Sequence, residues 1–242
     1  MMQTRLKVQH PWTFDANATY VVAGGLGGIG RATACWMADR GARNLLLLSR
    51  SGVATTEARQ VVDDLKQQGV HVEVQSCDIA NCGRLQGMME TVREKMPPVK
   101  GCIQSAMVLR PKVFENMTYQ EWREAVDCKV AGTWNLHRLL PKGLDFFIMY
   151  SSISGGLGGT AAANYSAACA FQDAFAYYRN TLGERATTLN LGVMLDDGVL
   201  RDNDTVRGVL MGTGYLIGIT RKNMFALLEH HCDPSLEVPA TP

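Results

Sequence analysis

The 242-residue sequence has no charge excess. Twenty-four basic side chains face 23 acidic ones, leaving a net charge of +1. That balance offers no electrostatic footing for nucleic acid or an anionic membrane surface. No apolar run approaches the roughly 20 residues of a membrane-spanning helix. The first residues, MMQTRLKVQHPW, lack the apolar core of a secretory signal. The seven cysteines are odd in number and scattered. None forms a C-x-x-C, and the adjacent His230 and His231 do not have a metal-ligand spacing, so no metal site is expected. Such thiols read as reduced, mostly buried groups of a cytoplasmic protein. Repeats, low-complexity tracts and an internal linker are absent too, which leaves one large domain.

What is abundant is glycine, and it is concentrated. Thr19 to Val22 is a short β-branched and aromatic run, and Gly24, Gly25, Gly27, Gly28 and Gly30 follow within seven residues. A helical pattern then carries Ile29, Thr33, Trp36 and Met37 at core spacing. Glycine tolerates positive φ and lets another group approach the backbone. A strand, a glycine turn and a helix N-terminus together make an anion site, because free N–H groups and the helix dipole point at the turn. Gly24 to Gly30, with Leu26 and Ile29 between the glycines, is therefore the candidate pyrophosphate cradle of a dinucleotide.

Asn44 to Ser49 reads as a second strand buried on both faces, which makes a right-handed βαβ unit and a parallel sheet. Dinucleotide folds for NAD usually place an acid after this strand for the ribose 2′-OH. Here Ser49, Arg50 and Ser51 stand instead. A guanidinium and two hydroxyls suit a 2′-phosphate that a carboxylate would repel, so NADPH is the expected cofactor. Helix over 55–68 and strand over 70–75 lead to Asp78 and Ile79. Asp78 is a candidate for the adenine amino group, or alternatively the N-cap of the next helix. A fourth strand, 99–104, ends at Ser105 and Ala106, small residues able to line the nicotinamide side. Thr118 with Glu121 forms a capping box for a helix running toward Lys129. His137, on a helix with no visible partner, reads as structural.

A fifth strand over 144–150 leads into Ser151 and Ser152. A glycine loop follows, then a helix over 161–179 with Tyr165, Ala168, Cys169, Gln172 and Phe175 near one face, and a sixth strand over 187–191. The spacing places Ser152 and Tyr165 together at the C-terminal edge of the sheet, beside a nicotinamide. A tyrosine needs help to handle protons near neutrality. A neighbouring ammonium lowers its pKa, and Lys129 is the candidate. The position four after Tyr165, where single-domain reductases often carry that lysine, holds Cys169. The fold class expected is α/β, a Rossmann-like doubly wound parallel sheet with helices on both faces. Residues 1–18 read as a lead-in, 19–232 as the domain with a lid over 192–218, and 233–242 as a linker.

Five stretches carry a resemblance: ATYVVAGGLGGIGRATACWMADRGARNLLLLSRSG, VKGCIQSAMVL, FENMTYQEW, KVAGTWNLHRLLP and YSSISGGLGGTAAANYSAACAFQDAFAYYR. In order and in type they are similar to the catalytic half of a polyketide synthase ketoreductase domain, of the short-chain dehydrogenase/reductase superfamily. The fungal highly reducing synthases are the most similar. The resemblance implies NADPH-dependent reduction of a β-ketoacyl chain tethered to an acyl carrier protein, inside a multidomain synthase from which this chain would be a piece. By position it assigns the family's catalytic lysine to Lys129, its serine to Ser152 and its tyrosine to Tyr165. The family's asparagine, four residues after the tyrosine, helps hold the lysine and an ordered water; Cys169 stands there. Arg110-Pro111-Lys112 and Leu157 also depart from motifs used to assign product configuration. Two rival readings remain: a reductase-shaped scaffold with Cys169 marking lost catalysis, and a free-standing reductase of small ketones. Acyl chain length, alcohol configuration and oligomeric state are not encoded legibly.

Overall fold

The computed structural model describes residues 12–198, 208, 212 and 218–236. Its main strands are β1 (Thr19–Ala23), β2 (Asn44–Ser49), β3 (His71–Ser76), β4 (Val99–Gln104), β5 (Phe146–Ser152) and β6 (Thr187–Leu191). Between them run α1 (Gly28–Asp39), α2 (Thr56–Gln67), α3 (Cys82–Lys95), α4 (Tyr119–Leu139), the single turn α5 (Ser154–Leu157) and α6 (Ala163–Thr181). All six strands are parallel, in the order β3-β2-β1-β4-β5-β6. The expected doubly wound Rossmann-like sheet is what forms. Its winding reverses between β1 and β4, and a crevice opens there at the carboxyl ends of the strands.

Strand pleating sends successive side chains to opposite faces. Tyr20, Val22, Leu45 and Leu47 enter one core layer with Trp36 and Met37 of α1 and Val62 of α2. Val21, Ala23, Leu46 and Leu48 enter the other, with Leu85 and Met89 of α3, Leu136 of α4 and Phe175 of α6. Helices cover both faces, which is why β1 and β2 read as unbroken apolar runs. In the first layer Phe146 stacks on Tyr20, ring centroids 5.8 Å apart, directly above Gly101, where an added Cβ would lie 2.2 Å from Phe146 Cζ. Both rings are buried, with Phe14 packed against each at 4.8 and 5.9 Å between ring centroids. Gly101→Ala is expected to destabilise the domain by about 1–3 kcal/mol through overpacking, measured as a lower urea midpoint at unchanged m-value.

Several boundaries move from the sequence expectation. β5 runs through Ser152 because Ser151 and Ser152 pair with Asn190 and Leu191 of β6. The capping box of Thr118 and Glu121 forms as expected, but α4 passes straight through Gly132. A Cβ there would meet Ile79 at 2.6 Å, so this glycine serves close packing. The described part of the expected lead-in, residues 12–18, packs on the domain. Phe14 is buried with its ring 4.8 Å from Tyr20 and 5.5 Å from Trp36, and Trp12 Nε1 donates to the Glu229 carbonyl at 3.0 Å. Two aromatics bury enough area to anchor a segment whose Pro and Asp content reads as a loop.

At the other end, Asp233, the first residue of the expected linker, is buried and its carbonyl accepts from Arg185 at 2.8 Å. Positions 1–11 and 237–242 lie outside the described residues. So does most of the expected lid, apart from its flanks and Gly208 and Gly212. On the flanks a small pair forms, β7 (Val193–Met194) beside β8 (Gly218–Ile219), and α7 (Arg221–His231) follows. Arg221 ties that helix back to Asp197 at 2.7 Å. Among the described residues no helix is long and apolar enough to cross a membrane.

Candidate active site

The glycine turn sits at the carboxyl end of β1. Gly24 has φ +77°, and a Cβ there would lie 2.7 Å from Ala106 N. A Cβ at Gly28 would lie 2.6 Å from Gly198 N, and one at Gly30 would lie 2.2 Å from Gly24 O. The turn thus needs glycine first to fold against itself and its neighbours. Gly27 is the N-cap of α1, no side chain caps the helix, and its first turn carries no acid. The positive end of a twelve-residue helix is therefore left for an anion.

A cleft of about 450 Å³ opens over this end, lined by Gly24, Leu26, Gly27, Gly28, Ile29 and Gly30 and by Asp197 and Gly198 across from them. Gly25 is not in the lining. It packs inward, where a Cβ would meet Val22 O at 2.8 Å and Leu47 at 3.0 Å. Of the expected cofactor residues of the turn, Gly25 is the one set beneath it.

The same cleft takes in Ser49, Arg50, Ser51, Asp78, Ile79, Ser105 and Ala106. Arg50 and Ser51 are exposed, and among the described residues no hydrogen bond or ion pair engages the Arg50 guanidinium. Asp78 does not cap α3; Asn81 does, accepting from Arg84 N at 3.1 Å. Asp78 Oδ1 instead accepts from Ala80 N at 2.9 Å, an Asx-type turn that leaves its second oxygen unbonded by any described residue. Ser105 has less freedom than expected, because its hydroxyl and its N–H both donate to Ala23 O at 2.8 Å. It pins β4 to β1 at the mouth of the crevice.

Three groups converge beside this cleft. Cys128, in the cleft wall, precedes Lys129. The Lys129 ammonium is buried and donates to Tyr150 O at 2.7 Å and Gln172 Oε1 at 2.9 Å. It lies 5.6 Å from the centre of the Tyr165 ring. The Tyr165 hydroxyl has Ser152 and Cys169 as hydrogen-bonding neighbours, and Ser152 Oγ also accepts from Ser154 N at 3.2 Å. The topology thus brings together all three residues named from the sequence.

Their electrostatics differ from the expectation. The Tyr165 pKa is raised, not lowered. Burial is the main cause, the Cys169 thiol adds to it, and the Ser152 hydroxyl opposes it. Burial likewise pushes the Lys129 pKa down. Desolvation is the leading cause for both groups.

Sequence reasoning missed the side chains that place these groups. Asn164 is fully buried and donates to Arg110 O at 3.1 Å and Glu121 O at 3.2 Å. It ties the start of α6 to the segment ahead of α4 and to the first turn of α4. Asn135 donates to Ile79 O at 2.8 Å and Ala80 O at 3.1 Å, shaping the loop after β3. Gln104 holds Cys128 O at 2.9 Å. Polar residues at apolar-phase positions of a helix or strand were the available signal.

With this geometry in view, the comparisons with known proteins decide the family. A family model described as "KR domain" matches residues 18–196. The chain belongs to the KR-domain family. It is 42% identical over 235 residues to "Highly reducing polyketide synthase 2" of Gibberella zeae, covering 97% of this chain and 9% of that protein. To the highly reducing polyketide synthase alnA of Emericella nidulans it is 43% identical over 200 residues, covering 83% of this chain and 8% of that protein. Among solved structures it matches the ketoreductase from the first module of phoslactomycin biosynthesis in Streptomyces sp. HK803. That match has a TM-score of 0.80 at 28% identity and covers 92% of this chain and 52% of that one. The chain spans under a tenth of the length of these two curated synthases.

Family membership implies an oxidoreductase unit with a nicotinamide cofactor, built on the short-chain dehydrogenase/reductase fold. Its departures from the family pattern now have places. Cys169 is fully buried against Tyr165. Arg110 and Lys112 are engaged by Glu124 at 2.6 Å and Glu121 at 3.0 Å. Leu157 is exposed at the end of α5. His137 is a core group, 2.6 Å from the buried Arg179 guanidinium, and burial lowers its pKa. Among the described residues no cluster of His, Cys, Asp or Glu could hold a metal ion.

Proposed function

We propose that this KR domain reduces a β-ketoacyl thioester, tethered to an acyl carrier protein, to the β-hydroxyacyl thioester, using NADPH during polyketide chain elongation. The observation that carries the reading is the convergence of Ser152, Tyr165 and Lys129 beside a cleft floored by an uncapped helix N-terminus. The cleft fits a dinucleotide by its own chemistry. The N-terminal amides of α1 suit a pyrophosphate, the unpaired Arg50 with Ser49 and Ser51 suits a 2′-phosphate, and Ser105 and Ala106 line the same cleft. Bound there, NADPH supplies the hydride.

The protein's own part is to hold the ketone oxygen and deliver a proton to it. The Ser152 and Tyr165 hydroxyls hydrogen-bond that oxygen and stabilise the negative charge it develops. Tyr165 then gives up its O–H proton to the oxygen. A phenol held neutral by burial is the loaded form of this donor, so the raised pKa of Tyr165 suits reduction better than a lowered one. Lys129, buried next to it, passes on the replacement proton. The expected partners are the carrier protein and the other domains of a synthase.

The test is NADPH oxidation followed at 340 nm with a β-ketoacyl thioester surrogate, alongside NADPH binding by fluorescence. Turnover is expected. Binding without turnover would favour the scaffold reading, in which Cys169 has cost the site its relay, and turnover of free ketones but not of thioesters would favour a free-standing reductase. For cofactor choice, Arg50→Ala is expected to weaken NADPH about 10- to 100-fold, the worth of a charge-assisted hydrogen bond or two. NADH affinity should change less than twofold. Equal loss for both cofactors would remove Arg50 from the phosphate site.

A further inference from the structure

Lys129 has three N–H donors, and two are committed inside the protein, to Tyr150 O and to Gln172 Oε1. Gln172 is itself held in one orientation. Its Nε2 donates to Thr133 Oγ1 at 3.4 Å, which fixes which end of the amide meets the ammonium. Lys129, Gln172 and Thr133 are all buried. Tyr165, Cys169 and Gln172 lie four and then three residues apart along α6, so they share one helix face.

With Lys129 buried, an apolar residue at 172 would leave the ammonium short of an acceptor, and the Gln172 amide oxygen supplies one. Cys169, one turn earlier, offers no carbonyl oxygen to a lysine. We infer that Gln172 is the positioning residue that holds the Lys129 ammonium for proton relay to Tyr165, in a buried chain running from the Tyr150 carbonyl through Lys129 and Gln172 to Thr133. The inference rests on the ketoreductase reading for its catalytic meaning.

The groups facing the ammonium are few. Cys128 adjoins it on α4. Tyr165, Cys169 and Asp173 face it from α6, and β5 contributes only the Tyr150 carbonyl. The Tyr150 phenol is turned away to Thr33 Oγ1 at 2.8 Å. Burial raises the pKa of the Cys128 thiol and of the Tyr165 phenol, so neither carries charge near pH 7. The ammonium's protonation thus depends on its burial, on its two acceptors and on Cys169 and Asp173 facing it.

The test combines two readouts on Gln172→Leu and Gln172→Glu: titration of the Lys129 ¹⁵Nζ resonance, and the pH profile of kcat with the thioester surrogate. Loss of one acceptor disfavours the ammonium. Gln172→Leu should lower the Lys129 midpoint and the alkaline limb of kcat together, by about one pH unit. At pH values above the midpoint kcat falls about tenfold, with KM within twofold. Gln172→Glu adds an opposite charge at the same place, should move both upward, and should keep kcat within about threefold of wild type.

An unmoved midpoint, or a fall in kcat with an unmoved midpoint and profile, overturns the inference. If Gln172→Leu does not fold, the upward shift in Gln172→Glu decides alone. Absence of turnover in the wild type would defeat the ketoreductase reading, and the lysine titration would still decide whether Gln172 holds Lys129.

Discussion

Replacing Tyr165 with phenylalanine should lower kcat for the thioester surrogate by about 10²- to 10⁴-fold, the usual worth of a positioned general acid, while NADPH affinity stays within twofold. The substitution removes one oxygen and keeps the ring that packs beside Lys129. Ser152 retains its contact with the Ser154 N–H, and Lys129 retains Tyr150 O and Gln172. The fold is thus left with no orphaned donor of consequence, and the melting temperature should move by only a few degrees. Because Tyr165 lines no part of the cleft described above, cofactor binding is a clean control. Full activity in this variant would remove Tyr165 from the chemistry. A parallel loss of NADPH binding would mean that the substitution had disturbed α6 rather than the proton donor.

The second large effect is predicted in the glycine turn. Gly30→Ala would put a Cβ 2.2 Å from Gly24 O, 2.8 Å from Gly25 Cα and 2.9 Å from Gly24 C. All three atoms are backbone, so no side chain can swing aside. The turn must move, and with it the amides of α1 that face the cleft. The cost should reach or exceed the upper end of the about 1–3 kcal/mol typical of overpacking, and NADPH binding should fall at least about 100-fold.

Gly87→Ala is the matched control. It lies within α3 with nothing within 4 Å of the added Cβ, and replacing a helical glycine by alanine stabilises by roughly 0.5–1 kcal/mol. Binding retained in Gly30→Ala at wild-type affinity would mean that the turn adapts and that its tight geometry is not what holds the pyrophosphate.

Much of this molecule is legible as one-dimensional pattern. The apolar runs at 19–23 and 44–49, the glycine cluster between them and the capping box at Thr118 are local signals, and each became the element expected. Ser152 and Tyr165 were legible because each sits at a predictable place on its own element, a strand end and the first turns of the next helix. The packing of the lead-in was not legible, because Trp12 and Phe14 hold an irregular segment against Tyr20 and Trp36, contacts that no local pattern announces. Gly25 was grouped with its neighbours since turn glycines look alike in sequence. Only their surroundings separate the one under the turn from those that line the cleft.

The sequence by itself determined the order of strands and helices, the crevice at the carboxyl edge of the sheet, and the identity of the groups delivered there. These follow from periodicity, turn chemistry and the handedness of parallel crossovers, all of which act over a few residues at a time. Only the tertiary structure decided the electrical state of Tyr165 and the partner of Lys129. A pKa depends on how much water is excluded and on which dipoles point at the group. Those quantities arise where α4, α6 and β5 meet, from residues that stand far apart in the chain.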